Sequence, residues 1–109
     1  MKKIEAIIRP EKLQDVKDAL FKESINGITL TEVKGRGEQG GITLEWRVGE
    51  YKVDFLPKIK LEIVTEDEKV NKVIEIICNS ARTGEIGDGK IFVFPVESVT
   101  KIRTGEKFR

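Results

Sequence analysis

TGEIGDGKIFVFPV, residues 83–96, joins a glycine-rich turn to an uninterrupted apolar run. Gly84, Gly87 and Gly89 are interspersed with Glu85, Asp88 and Lys90, and Ile91-Phe92-Val93-Phe94 follows at once. Glycines at this density let the backbone take positive φ and turn consecutive N–H groups toward one point, which makes a nest for an anion. Lys90 adds a positive charge where a phosphate would sit. The apolar run reads as a buried strand, so the loop hangs from a rigid element. Taken alone, the same residues would also serve as a plain turn from a helix into a strand.

The direction of the stretch excludes one tempting motif. Gly84-x-x-x-x-Gly89-Lys90 satisfies the first seven positions of a P-loop, but Ile91 stands where Ser or Thr should hold Mg²⁺. A P-loop also runs from strand to helix, so that the helix N-terminus faces the phosphates. Here a helix leads in and a strand leads out. The P-loop fails and the phosphate nest remains.

Upstream, Glu66-Asp67-Glu68 suits a helix start, and Val70, Val73, Ile74 and Ile77 form one apolar face behind it. Before that helix, Ile59, Leu61 and Ile63 alternate with Lys58, Lys60 and Glu62, a strand pattern. Val53 and Phe55 continue the alternation toward the N-terminus, from Tyr51. The first half repeats the plan. Lys3–Arg9 (KIEAIIR) is an isoleucine-rich strand stopped by Pro10, and Leu13, Val16, Ala19 and Leu20 line one face of a helix over Glu11–Glu23. Asn26-Gly27 ends that helix, and Ile28 and Leu30 alternate with Thr29 and Thr31 in a second strand.

Strand–helix–strand, a long loop, then strand–helix–strand is the order of a ferredoxin-like double βαβ unit. The expected fold is therefore α+β, a four-stranded antiparallel sheet with both helices on one face. The other face then needs cover. Ile28, Leu30 and Val93 are the apolar residues assigned to it, and a second subunit is the expected cover. The segment between the halves, Lys34–Glu50, holds five glycines and no sustained pattern. Loops of this length are commonly functional. Its Gly35-Arg36-Gly37-Glu38-Gln39-Gly40 is a literal G-x-G-x-x-G, yet Gly40-Gly41-Ile42-Thr43-Leu44 is poor helix sequence, so the dinucleotide-binding reading fails. What survives is a flexible backbone able to approach a ligand, with Gln39 offering a neutral oxygen to a metal shell.

Composition bounds the function. The 109 residues fit one domain, and 36% charged against 39% hydrophobic residues suit a globular protein with an ionic surface. A net charge of +1 recruits neither nucleic acid nor an acidic membrane, so any anion site comes from local clustering. The absence of His removes His-based acid–base chemistry and the usual zinc sites. The lone Cys78, among Ile74, Ile76 and Ile77, forms no internal disulfide and suits a reducing cytoplasm. No apolar run approaches the ~18 residues of a membrane span.

The chain resembles the PII-type nitrogen signal-transduction proteins over essentially its whole length. The resemblance is carried by MKKIEAIIRPEKL at the start, TEVKGRG before the loop, YKVDFLPKIKLEIV after it, and ARTGEIGDGKIFVFPVE with IRTGE at the end. It implies a single domain over residues 1–109 that forms a homotrimer, with ATP or ADP in the clefts between subunits. It also implies a protruding target-docking loop over about residues 37–55 and a cationic tail over 101–109.

Carried over by position, the phosphates meet the backbone of Gly37 and Glu38, the Gly87-Asp88-Gly89-Lys90 nest, and Lys101 and Arg103 of a neighbour. Thr29, Gly35, Glu62 and Val64 match positions around the adenosine. Gln39 matches the glutamine that joins Mg²⁺ and 2-oxoglutarate, and Lys58 the lysine that pairs with the far carboxylate. Arg47 matches the loop arginine that enters ammonium-transporter pores, and Tyr51 the tyrosine that some relatives nucleotidylylate. Lys101 stands where arginine is usual, which keeps the charge and loses the planar fork. The surroundings of Tyr51 depart from the family pattern, as does Gly40-Gly41.

The implied function is regulatory: sensing ATP/ADP and 2-oxoglutarate, and acting on an ammonium transporter or an enzyme of nitrogen metabolism such as glutamine synthetase or nitrogenase. The expected location is the cytoplasm, with recruitment to the membrane only through a transporter. A small nucleotide hydrolase with Asp88 or Glu62 as base is the competing class, and both carboxylates have cations nearby that weaken them as bases. RNA binding by the sheet is disfavoured, since the aromatic signature that stacks bases is absent.

Overall fold

In the computed structural model, residues 1–37, 42–46 and 49–108 are described, with segments 42–46 and 49–53 as backbone only. The elements run β1 (Lys2–Ile8), α1 (Leu13–Lys22), β2 (Thr29–Gly35), β3 (Ile42–Trp46), β4 (Gly49–Val53), β5 (Leu56–Thr65), α2 (Val70–Ala81), β6 (Gly89–Pro95), β7 (Val99–Thr100) and β8 (Lys107–Phe108). A single 3₁₀ turn leads into each helix, Pro10–Lys12 before α1 and Asp67–Lys69 before α2.

β1, β2, β5 and β6 form one sheet in the order β2-β5-β1-β6, every neighbour pair antiparallel. This is the ferredoxin-like α+β arrangement expected from the repeated strand–helix–strand order. Alternation places Ile4, Ala6 and Ile8 of β1 and Ile59, Leu61 and Ile63 of β5 in the core, all at most 5% exposed. The helices bring Val16 and Leu20 from α1, and Val73, Ile77 and Ala81 from α2, onto the same side. Leu13 and Val70 pack against that cluster from the helix starts.

The register corrects the assignment of the open face. Leu30 stands opposite Leu61, and Val93 opposite Ile4, so both share the core side of the sheet. They remain 44% and 43% exposed because they lie on the edge strands β2 and β6. Ile28 packs against the core cluster. The apolar residues of the open face are instead Phe92, Phe94 and Val64, in register with Glu5, Lys3 and Lys3 of β1 respectively. Each is 41–45% exposed.

Two boundaries also differ from the sequence pattern. α1 stops before Asn26-Gly27, because Ser24 takes φ 63°. The Ser24 amide then donates to the Phe21 carbonyl and the Ile25 amide to the Leu20 carbonyl, each at 3.0 Å. This is a Schellman cap with serine in the position that usually holds glycine. The long loop carries a hairpin, β3 paired antiparallel with β4 from Ile42↔Val53 to Trp46↔Gly49.

Candidate functional site

The turn from α2 into β6 is built around one carboxylate. Asp88 Oδ2 accepts the amides of Thr83 at 2.8 Å and Gly84 at 2.9 Å, and its Oδ1 accepts the Thr83 hydroxyl and Arg9 Nε, the latter at 3.0 Å. Arg9 also donates from Nη2 to the Ile86 carbonyl at 2.9 Å. The Thr83 hydroxyl and amide, then the Gly84 amide and the Arg9 guanidinium, hold the Asp88 carboxyl well below the usual carboxylate range. With its lone pairs so engaged, Asp88 shapes the loop and is a poor proton acceptor.

Three glycines of the turn take positive φ, 91° at Gly84, 104° at Gly87 and 109° at Gly89. Gly89 is the most constrained. It opens β6 opposite Ile8, and a Cβ there would meet the Ile7 carbonyl oxygen at 1.7 Å. Lys58 ties the loop from the other side, its Nζ donating to the Gly87 carbonyl at 2.8 Å. The turn is therefore anchored to the end of β1 and the start of β5.

Beside it lies a cleft of about 400 Å³. Gly35, Arg36 and Gly37 form one wall, Lys58 and Leu56 another, and Glu85–Lys90 a third, with Ile7 and Phe92 completing it. Seven of the expected ligand residues thus converge: Gly35, Gly37, Lys58, Gly87, Asp88, Gly89 and Lys90. Thr29, Glu62 and Val64 are not walls of this cleft. Thr29 stands opposite Glu62 across β2 and β5, and alternation puts Val64 on the same open face. Glu62 pairs there with Lys3 at 3.2 Å, which occupies it as a base.

Lys101 and Arg103 are likewise not walls of their own chain's cleft. They lie between β7 and β8, where Lys101 donates its amide to the Glu106 carbonyl and holds its ammonium 5.5 Å from the Phe108 ring. Gln39, Glu38 and Arg47 lie outside the described residues, and Tyr51 is described only as backbone of β4. Sequence reasoning missed Arg9, which is separated from Asp88 by 79 positions. The signal lies only in the topology, since Arg9 directly follows β1, beside whose end β6 begins.

The profile of the family described as nitrogen regulatory protein P-II matches residues 1–106. The chain belongs to this family. It is similar to the nitrogen regulatory protein P-II of Azospirillum brasilense, 62% identical over 107 residues, covering 98% of this chain and 96% of the relative. The nitrogen regulatory protein P-II 2 of Methanothermobacter thermautotrophicus is 58% identical over 106 residues, covering 97% and 92%. That of Rhizobium meliloti is 60% identical over 106 residues, covering 97% and 95%. These relatives carry the name of regulatory proteins, and a regulator of this family acts through contacts with target proteins. Among the described residues no helix is long and apolar enough to cross a membrane.

Proposed function

We propose that the chain is a nitrogen-status regulator that binds ATP or ADP in the cleft of about 400 Å³, takes up 2-oxoglutarate beside the nucleotide, and signals through its hairpin loop. The observation that carries this reading is the convergence of the Gly87–Gly89 backbone, Lys58 and Lys90 around one cavity. Positive-φ glycines expose amides to an anion, and two ammonium groups supply the counter-charge. In support, Phe92 on the open face flanks this cleft, so a neighbouring subunit covering that face would close it.

The assembly proposed is a homotrimer of single-domain chains, in which Lys101 and Arg103 reach a neighbour's phosphates and Thr29, Gly35, Glu62 and Val64 border the adenosine. Sedimentation equilibrium at a mass of three chains supports it, and a monomer at micromolar concentration contradicts it. Among the described residues no cluster of three or more acidic, Cys or His side chains could hold a metal. Mg²⁺ would arrive with the nucleotide, Gln39 would help to hold it, and it would supply positive charge to the phosphates and to 2-oxoglutarate. Lys58 would pair with the far carboxylate of that dianion. Gly37 and Glu38 would contribute backbone to the phosphates.

The output assigned to the loop over about residues 37–55 is docking on a target in the cytoplasm. An ammonium transporter met through Arg47 is the favoured target, with glutamine synthetase, its modifying enzyme or a nitrogenase as others. Tyr51 is the candidate for covalent modification. A hydrolase is the weaker reading, because Asp88 is saturated with donors and Glu62 is paired with Lys3.

Calorimetric titration of ATP into the wild type and Lys90→Ala tests the cleft. The substitution is expected to weaken ATP binding by about 1.5–3 kcal/mol, the worth of a charge-assisted contact, in a chain that still folds. Equal affinity in both proteins removes the nest from the site.

A further inference from the structure

The roots of the hairpin leave the sheet side by side, with Gly35 opposite Leu56. One residue beyond Gly35, Arg36 Nε lies 4.0 Å from Asp54 Oδ1, two residues before Leu56. This ion pair spans the base of the excursion that carries β3 and β4. It is at the outer limit of a contact, and its side chains are 50% and 53% exposed, so it is weak. Arg36 also lines the cleft, together with Lys58 and Lys90. Its guanidinium therefore has two possible anions within its reach, a carboxylate at the hairpin base and whatever fills the cavity.

The competition is unequal. A phosphate or carboxylate ligand offers the planar fork two acceptor oxygens at once, inside a cleft where water is partly excluded. Asp54 offers one long contact in solvent. We infer that Arg36 is an anion-binding residue of the cleft, and that it exchanges its pair with Asp54 for the ligand's oxygens. Occupancy of the cleft then unlatches the base of the hairpin. The inference rests on the nucleotide reading above. It adds to that reading a binding residue on the loop's own root and a route by which ligand binding reaches the hairpin.

The test is a double-mutant cycle, with ATP and ADP titrated calorimetrically into the wild type, Arg36→Gln, Asp54→Asn and the double variant. Arg36→Gln is expected to weaken nucleotide binding by about tenfold or more, the loss of a charge-assisted contact. Asp54→Asn releases Arg36 without removing it. It is expected to tighten binding by up to about fivefold, the worth of an exposed pair. A purely structural latch predicts the same sign for both variants, since each breaks the pair. A long-range charge effect predicts that Asp54→Asn tightens binding equally with or without Arg36. The exchange predicts that the gain vanishes in the double variant. A larger loss with ATP than with ADP assigns Arg36 to the terminal phosphate. An equal loss assigns it to the inner phosphates, and a loss seen only when 2-oxoglutarate is added to ATP assigns it to the carboxylate. Wild-type affinity in Arg36→Gln for ATP, ADP and ATP with 2-oxoglutarate overturns the exchange and leaves the nucleotide reading standing. Failure of the wild type to bind any nucleotide overturns both.

Discussion

Gly89 and Ile7 meet backbone to backbone: the position a Gly89 side chain would take lies 1.7 Å from the Ile7 carbonyl oxygen. The contact fixes where β6 starts relative to β1 and so where the glycine turn hangs over the cleft. The shape of the turn and its packing rest on one residue here, because the φ of 109° that shapes the turn also requires the missing Cβ.

Gly89→Ala should therefore be far more damaging than Gly84→Ala. Gly84 has φ 91° but open space around its Cβ position, so its substitution costs only the backbone strain, roughly 1–2 kcal/mol. At Gly89 the same strain is joined by a clash with main chain that cannot rotate away, for a total above about 3 kcal/mol. Urea unfolding of both variants checks this. Equal losses would mean that β6 shifts freely along β1.

Ser24 offers a gain. Its φ of 63° is a left-handed value that costs a serine more than a glycine, and the cap hydrogen bonds are made by backbone alone. Ser24→Gly should raise stability by about 0.5–1 kcal/mol, seen as a higher denaturant midpoint at unchanged slope. A lower midpoint would show that the serine side chain contributes to the cap.

How much of this was legible follows from which residues repeat. Ile4-Ala6-Ile8 and Ile59-Leu61-Ile63 alternate cleanly, and Val73 and Ile77 keep helical spacing, so sheet, helices and core could be read directly. Register could not. Leu30 and Val93 look like open-face residues until pairing sets them beside Leu61 and Ile4. The β3–β4 hairpin was hidden because its strands are short and set among glycines, Gly40-Gly41 before β3 and Gly49 opening β4, although Ile42, Leu44 and Trp46 alternate with Thr43 and Glu45. At the cleft, Gly87, Gly89 and Lys90 announce themselves by composition. Arg9 and Arg36 do not, since one acts across the sheet and the other hides inside a glycine-rich run.

Asp88 gives the turn its acid response. Its carboxyl titrates below the ordinary range, held first by the Thr83 hydroxyl and amide and then by the Gly84 amide and Arg9. A group depressed on folding contributes stability that is fully present above its unfolded pKa and lost as pH falls through the folded value. The Thr83 and Gly84 amide resonances should thus hold their positions through pH 4, about where unperturbed aspartates protonate, and move only at lower pH. Movement centred near pH 4 would show that the network does not hold. Asp88→Asn should loosen the turn at all pH values, because an amide group cannot accept from all four donors.

The central claim is that one cleft couples nucleotide to 2-oxoglutarate, and titrating 2-oxoglutarate into the protein with and without Mg-ATP tests it most directly. On the reading proposed above, Gln39 alone would be too weak a ligand to hold the metal, and Lys58 would supply only one end of the dianion's site. Binding is predicted only when Mg-ATP is present, and it should disappear in Lys58→Met, whereas ADP should still bind, weakened only by the loss of the Lys58 charge and its tie to the Gly87 carbonyl. Tight 2-oxoglutarate binding without nucleotide, or undiminished binding in Lys58→Met, would contradict the account.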